Sequence, residues 1–231
     1  FSDGFADTVY AADQKGALWK FDLRDASPAD ISKPLFVTKT HSEGTPARNY
    51  RQPITGGLTA AAGPLGGVLV YFGTGSFSFY GDPDDESLQS LYAVNDTERG
   101  PTTTTMDSSN LSGYAVGTGT ESRGLTPVGG GLSGNGWYVN LAEGERFVGN
   151  PRIASGVVFM PTYSPDGGST GCSTGGFNWL FGLNARTGAA ALSAVRFGSP
   201  GGDSPAEGTA SVAMDTGGSA PLRGVWVFVL P

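Results

Sequence analysis

The chain carries one cysteine and one histidine in 231 residues. A lone thiol excludes a disulfide within the chain, and one imidazole beside one thiol cannot assemble the usual transition-metal ligand sets. Charge is scarce too, at 15% of residues, with 14 basic against 21 acidic side chains. The net charge of −7 repels phosphate backbones, and no basic cluster interrupts it, so nucleic acid is not an expected partner. No apolar run is long enough to cross a bilayer as a helix, and the first residues do not resemble a signal peptide. Room for helices is also missing. The 38 glycines and 15 prolines make up nearly a quarter of the chain, and each interrupts helices, by backbone entropy or by a missing N–H. The longest run free of both is Asp84 to Arg99.

What the chain does have is a phrase written three times. Leu18-Trp19-Lys20-Phe21-Asp22, Leu91-Tyr92-Ala93-Val94-Asn95 and Leu180-Phe181-Gly182-Leu183-Asn184 share the order leucine, aromatic, any residue, apolar, Asp or Asn. A second shared phrase precedes each of them: Val9-Tyr10-Ala11, Val70-Tyr71-Phe72 and Val158-Phe159-Met160. Repeated strand pairs at long intervals predict an all-β fold of blades stacked about an axis, a β-propeller. Asp84 to Arg99 could pass for a helix by its leucine spacing, but its match to the repeat makes it a strand.

Turn signals divide the chain accordingly. Thr8 to Asp13 and Ala17 to Leu23 form a tight hairpin, followed by an outer strand over Pro34 to Lys39. A second unit opens at Pro53-Ile54-Thr55 and continues through Val68 to Gly73 and Leu88 to Asn95. The third runs from Asn150 to Ala154, Val157 to Thr162 and Trp179 to Asn184, and turns at Ala185-Arg186-Thr187-Gly188. Thr209 to Ala213 and Val225 to Val229 read as the first strands of a fourth unit. Residues 1–231 are thus expected to form one partial propeller domain of three to four blades, cut from a larger ring. Gly100 to Gly136, dense in Thr, Ser and Gly, is expected to be a partly mobile excursion on one face.

Few residues promise chemistry. Asp3-Gly4-Phe5-Ala6-Asp7 has the look of the back half of a calcium loop, with carboxylates from Asp3 and Asp7 and the Phe5 carbonyl between them. An ordinary Asp-Gly turn entering a strand accounts for it equally. Asp82, Asp84, Asp85 and Glu86 form a second acidic knot, but Pro83 spoils the loop grammar, and a solvated loop explains it. His41 sits in an apparent exposed loop, with no serine in a nucleophile-elbow pattern to work with it. Cys172 is read as an inert loop thiol, a disulfide partner for a part outside this chain, or a reactive nucleophile. Trp19, Trp137, Trp179 and Trp226 are expected to pack between blades. The acidic, low-lysine, Gly/Thr/Ser-rich composition reads as a secreted bacterial protein rather than a cytosolic one.

Taken in order, these phrases resemble the C-terminal domain of the PilY/PilC-type proteins, tip-associated adhesins and assembly factors of type IV pili. The matching stretches include Asp3 to Asp13, Gly16 to Leu23, Phe72-Gly73-Thr74-Gly75, Gln89 to Asp96, Gly136 to Leu141, Gly144-Glu145-Arg146 and Cys172 to Gly176 with Trp179-Leu180. The resemblance implies a propeller of quinoprotein-like type, displayed at the pilus tip or outer-membrane surface of a Gram-negative bacterium. It implies calcium at Asp3, Phe5 and Asp7, in a loop tied to control of pilus extension and retraction. The expected function is non-enzymatic: adhesion, pilus assembly and retraction control, through pilin subunits, other tip or assembly proteins and a host surface. Two other readings stay open. Quinoprotein dehydrogenases share the Gly/Trp-rich repeat, and aromatic loops such as Phe77-Ser78-Phe79-Tyr80 suit a glycan-binding propeller.

Overall fold

A computed structural model of the chain describes residues 7–24, 33–43, 48–118, 122–129, 134–165, 176–192, 211–214 and 220–226. Among these residues there is no α-helix, only three short 3₁₀ turns and sixteen strands. Among the described residues no helix is long and apolar enough to cross a membrane.

Each repeated phrase pair is an antiparallel hairpin, and each hairpin lies in a different sheet. In the first sheet β1 (Thr8–Ala12) pairs with β2 (Ala17–Asp22), and β3 (Phe36–Val37) flanks β2. A separate two-stranded hairpin follows, β4 (Thr40–Glu43) with β5 (Arg48–Arg51). The second sheet is built on β6 (Thr59–Ala62), β7 (Val68–Gly73) and β8 (Ser90–Asp96). The Thr/Ser/Gly-rich stretch then departs from the expected excursion by forming strands. They are β9 (Ser112–Val116), β10 (Ser122–Arg123) and β11 (Leu125–Gly129), and β12 (Gly136–Asn140) follows. The second sheet has the order β11-β9-β12-β8-β7-β6, with β9 parallel to β12. The third sheet, ordered β10-β16-β15-β14-β13, uses β13 (Arg152–Ala154), β14 (Val157–Pro165), β15 (Gly176–Asn184) and β16 (Ser211–Met214).

The last of these corrects the expected fourth unit. Residues 211–214 pair with β15 (Phe181↔Ser211, Asn178↔Met214) and so belong to the third sheet. The reason is the open edge of β15, whose N–H and C=O groups need a partner. Val225 and Trp226 are not in a strand, and Val227 to Val229 lie outside the described residues.

Register makes the three hairpins copies of one another. Val9 faces Phe21, Val70 faces Val94 and Val158 faces Leu183, so the leading valine always meets the fourth position of the partner phrase. The polar fifth position ends β2 at Asp22 and β15 at Asn184, and lies one residue before the end of β8. Asn184 Oδ1, for example, accepts from the backbone N–H groups of Arg186 and Thr187, an Asx turn that reverses the chain.

The sheets pack face to face, which explains why the phrases differ in polarity. Val70, Phe72, Tyr92 and Val94 point from the second sheet to Leu18, Leu35 and Phe36 of the first. Their neighbours Leu69, Tyr71, Leu91 and Ala93 point the other way, to Val158, Met160, Phe181 and Leu183 of the third. All seven residues of β8 are therefore buried, whereas β1 alternates between half-buried and exposed positions. Trp137 fills the gap between the second and third sheets, fully buried, and its Nε1 donates to the Ala185 carbonyl oxygen at 3.1 Å. It follows Gly136, which runs at φ +121 so close to the Ala93 carbonyl oxygen that a Cβ there would collide with it, an approach only glycine allows.

Lys39 is the odd charge in this packing. Its Nζ donates to Asn140 Oδ1 at 2.8 Å and lies 3.7 Å from the centre of the Tyr138 ring. Burial pushes its ammonium down to about 8 from 10.5. Between these values the unfolded chain holds a proton that the folded chain has released, so stability rises with pH from about 8 to 10.5. Tyr71, pushed up to about 12 by burial, acts oppositely above 10.0, because the folded state then holds the extra proton. Lys39→Met is expected to raise the melting temperature at pH 7 and abolish the gain on moving to pH 9, as read by thermal melts at both. Solvent screening of this half-exposed amine keeps the effect modest.

Candidate functional site

The loop joining β7 to β8 is tied from inside and from behind. From inside, Asp82 Oδ2 accepts from Ser76 Oγ at 2.7 Å and from the backbone N–H groups of Ser78 at 2.6 Å and Phe79 at 2.8 Å. Burial opposes its charge, but these bonds, with Phe79 foremost, and the nearby Arg146 hold the carboxyl below its ordinary value. From behind, the guanidinium of Arg146, itself 2% exposed, donates to the carbonyl oxygens of Ser76, Asp82 and Asp85. Arg146 spends its donors on backbone rather than on a carboxylate, so it fixes the path of the loop.

The aromatic residues of the loop divide by this geometry. Phe77 packs edge-on against Tyr163, centroids 5.0 Å apart, and anchors the near end. Phe79 is 61% exposed and Tyr80 fully so. Beyond them the 3₁₀ turn Asp82–Asp84 leads into Asp85 and Glu86. Asp85 Oδ1 accepts from the Ser87 N–H, while the carboxylates of Asp84 and Glu86 make no hydrogen bond among the described residues.

Opposite this acidic wall stands the β4–β5 hairpin. Buried Gln52 positions it: its Nε2 donates to the Leu88 carbonyl oxygen at 2.7 Å, and its Oε1 accepts from the Tyr92 hydroxyl at 2.6 Å. Arg51, next in the chain, donates to the Thr38 carbonyl oxygen. Between hairpin and loop runs a groove of about 570 Å³, lined by His41, Tyr50 and Arg51 on one side and Asp84, Asp85 and Glu86 on the other. One wall thus offers hydrogen-bond acceptors and the other donors with an aromatic face. That arrangement suits recognition of a polar partner.

The residues singled out from sequence fare unevenly. Asp3 and Phe5 lie outside the described residues, as does Cys172. Asp7 is exposed at the threshold of β1, where its carbonyl oxygen accepts from the Leu23 N–H at 2.9 Å and its carboxylate makes no hydrogen bond among the described residues. Among the described residues no group of three or more His, Cys, Asp or Glu side chains is placed to hold a metal ion. The second acidic knot is not simply a solvated loop, since Asp82 is its internal brace. His41 is not in a loop; it lies in β4 opposite Tyr50, half-buried, their rings 6.1 Å apart. Trp137 and Trp179 are packing residues, whereas Trp19 is half-buried with its Nε1 donating to Asp13 Oδ2 at 2.9 Å, and Trp226 is 84% exposed. Arg51 carried no signal of its own, and Arg146 stood only within the Gly144-Glu145-Arg146 match with no role attached, because an arginine held by backbone carbonyls leaves no spacing pattern.

Several relatives align with the chain. A Xylella fastidiosa (strain Temecula1) protein described as a type IV pilus biogenesis factor PilY1 homolog is 35% identical over 243 residues, covering 96% of this chain and 16% of that protein. A second Xylella fastidiosa protein with the same description is 28% identical, covering 81% of this chain and 15% of its own length. The type IV pilus biogenesis factor PilY1 of Pseudomonas aeruginosa (strain UCBPP-PA14) is 26% identical over 242 residues, covering 81% of this chain and 21% of that protein. No family model and no solved structure matches. The chain therefore spans between 15% and 21% of the length of these relatives. An alignment running through nearly every strand described above is not a likeness of isolated motifs, and the chain belongs to the PilY1 family of type IV pilus biogenesis factors, matching one segment of them.

Proposed function

We propose that the chain is a non-enzymatic module of a type IV pilus biogenesis protein, working at the pilus tip or outer-membrane surface through contacts with pilin subunits and other assembly or tip proteins. The observation that carries this reading is the 35% identity extending over 96% of the chain. Three hairpins in one register, stacked face to face, support a β-propeller of quinoprotein-like type, present as a partial ring. The groove between the clasped loop and the β4–β5 hairpin is the contact surface of this reading, since its acidic wall is pre-formed and loses little freedom on binding.

Calcium belongs to the same proposal. Asp3 and Asp7 carboxylates with the Phe5 carbonyl are its ligands, and the cation pins the segment entering β1 against the first sheet, biasing how the module engages its partners. The Asp7 carbonyl is already bonded to Leu23, so the side chain is the group left to coordinate.

The test is complementation of a bacterium lacking its own PilY1-type protein, using the full-length protein that contains this chain. Arg146→Ala is expected to cut surface pili at least about tenfold while the protein stays abundant, because an unpinned loop pays the ordering cost on binding. Asp7→Ala is expected to leave pili in place but remove their response to calcium, with calorimetric affinity falling at least about tenfold. Normal piliation with Arg146→Ala would remove the groove from the reading. Unchanged calcium affinity in Asp7→Ala would remove the cation site.

A further inference from the structure

The far face of the third sheet carries a second groove, distinct from the one beside the clasped loop. It is about 430 Å³ in volume and lined by Asn150, Pro151, Arg152, Arg223, Gly224, Val225 and Trp226. Among the described residues no acidic side chain contributes to its lining, although acidic residues outnumber basic ones, 21 to 14, in the chain as a whole. Arg152 and Arg223 are both exposed, and neither guanidinium makes a hydrogen bond or ion pair among the described residues. Two exposed arginines without an acidic partner among the described residues line this one cleft of an acidic chain, and packing does not explain them.

The groove is built, not draped. Its outer wall is the arm 220–226, fastened at separate points to the sheet below. The Leu222 N–H donates to Asn178 Oδ1 at 2.6 Å. The Arg223 carbonyl oxygen accepts from the Asn150 backbone N–H at 2.8 Å and from Asn150 Nδ2 at 3.2 Å. Val225 packs on the small cluster of Phe159, Leu180 and Leu192. Gly149 makes the close approach possible, since a Cβ there would meet the Arg223 carbonyl oxygen at 2.9 Å. An arm held this way presents Trp226 outward, 84% exposed, instead of folding the indole into the core. Leaving so large an apolar ring in water has no structural return.

We propose that this groove binds a saccharide bearing a carboxylate. A guanidinium fork matches a carboxylate bidentately, so Arg152 and Arg223 take the acid group. The indole of Trp226 supplies a flat apolar platform for the C–H face of a sugar ring, and Asn150 lies in the wall for ring hydroxyls. A volume of about 430 Å³ fits one or two rings better than an extended peptide. The site is independent of the pilus reading and uses none of the residues of the first groove.

The 231-residue chain is titrated with 3′-sialyllactose and, separately, with lactose, following tryptophan fluorescence and heat. Sialyllactose is expected to saturate, and lactose to bind at least about tenfold more weakly, the gap set by the carboxylate–guanidinium contact. Arg152→Gln and Trp226→Ala are each expected to weaken sialyllactose at least about tenfold. Both side chains are exposed, so melting temperature and circular dichroism should match the parent, which separates a lost site from a lost fold. Equal affinity for the two sugars, unchanged binding in either variant, or no saturation by about 10 mM would overturn the proposal. So would binding of an oligoglutamate peptide by a chain that ignores sialyllactose.

Discussion

Glu145→Ala should cost the chain about 3–5 kcal/mol, a large part of the whole stability of an ordinary domain. Glu145 is fully buried, and its carboxylate accepts from both terminal nitrogens of Arg123, at 2.9 and 3.2 Å, from the Thr162 hydroxyl, and from the Ala142 N–H. Arg123 is 5% exposed and lies flat over Trp179, 3.4 Å from the ring centre. Its Nε has no hydrogen-bond partner among the described residues, so the charge depends on Glu145. Removing the carboxylate leaves a buried guanidinium facing an aromatic ring and a bare hydroxyl, an arrangement far costlier than the pair itself was favourable. Arg123→Met combined with Glu145→Leu should recover most of the loss, because an apolar pair of similar volume needs no desolvated charge. Urea unfolding followed by tryptophan fluorescence measures both. A single-variant loss below about 1 kcal/mol would mean that water reaches the pair.

Asp96→Ala should have an effect of similar size, about 3–5 kcal/mol, but a different distribution. Asp96 at the end of β8 receives Lys20 Nζ from the first sheet at 2.7 Å, with both side chains nearly inaccessible, and the Tyr10 hydroxyl at 2.6 Å. Lys20 also donates to the Glu98 carbonyl oxygen. The pair thus ties the first sheet to the second at one rim, beyond the apolar contacts of Leu18 and Phe36. Burial, reinforced by Asp96, pushes the Tyr10 hydroxyl far above 10.0, so alkali above that value removes stability at this junction. Hydrogen exchange should show the consequence locally. Amides of 8–22 should lose protection in Asp96→Ala while those of β8 and β15 keep theirs, since cooperative units open separately. Uniform loss across all three sheets would contradict this division.

The hairpins were legible in sequence because their repeat is local. Each phrase packs its apolar run and closing Asp or Asn into adjacent positions, and β1 with β2, β7 with β8 and β14 with β15 appear as expected. Stacking was expected from the repetition of the strand pairs, and Leu91-Tyr92-Ala93-Val94, whose residues are buried on both faces of the second sheet, accords with it. Connections of long range were not. Ser112 to Val116 carries too weak a pattern to announce a parallel strand beside β12, and residues 211–214 gave no sign that they would return to β15 rather than begin a new sheet. Such pairings depend on which edge lies open, a property of the assembled sheets. The site followed the same rule. The acidic knot and Phe77 to Tyr80 were visible as composition, but the brace of Asp82 is made to backbone N–H groups, and the clasp of Arg146 reaches the Asp82 carbonyl oxygen across 64 positions, neither of which sequence displays.

The shared register of the three hairpins has a further consequence for how such a protein changes over generations. Where every unit meets its neighbour through equivalent positions, a duplicated or deleted unit creates no new kind of junction. Only the side chains that fill each seam must be retuned. Length can then vary by whole units while loops at the rims, such as those bearing Tyr80 and Trp226, diversify without disturbing the frame that carries them.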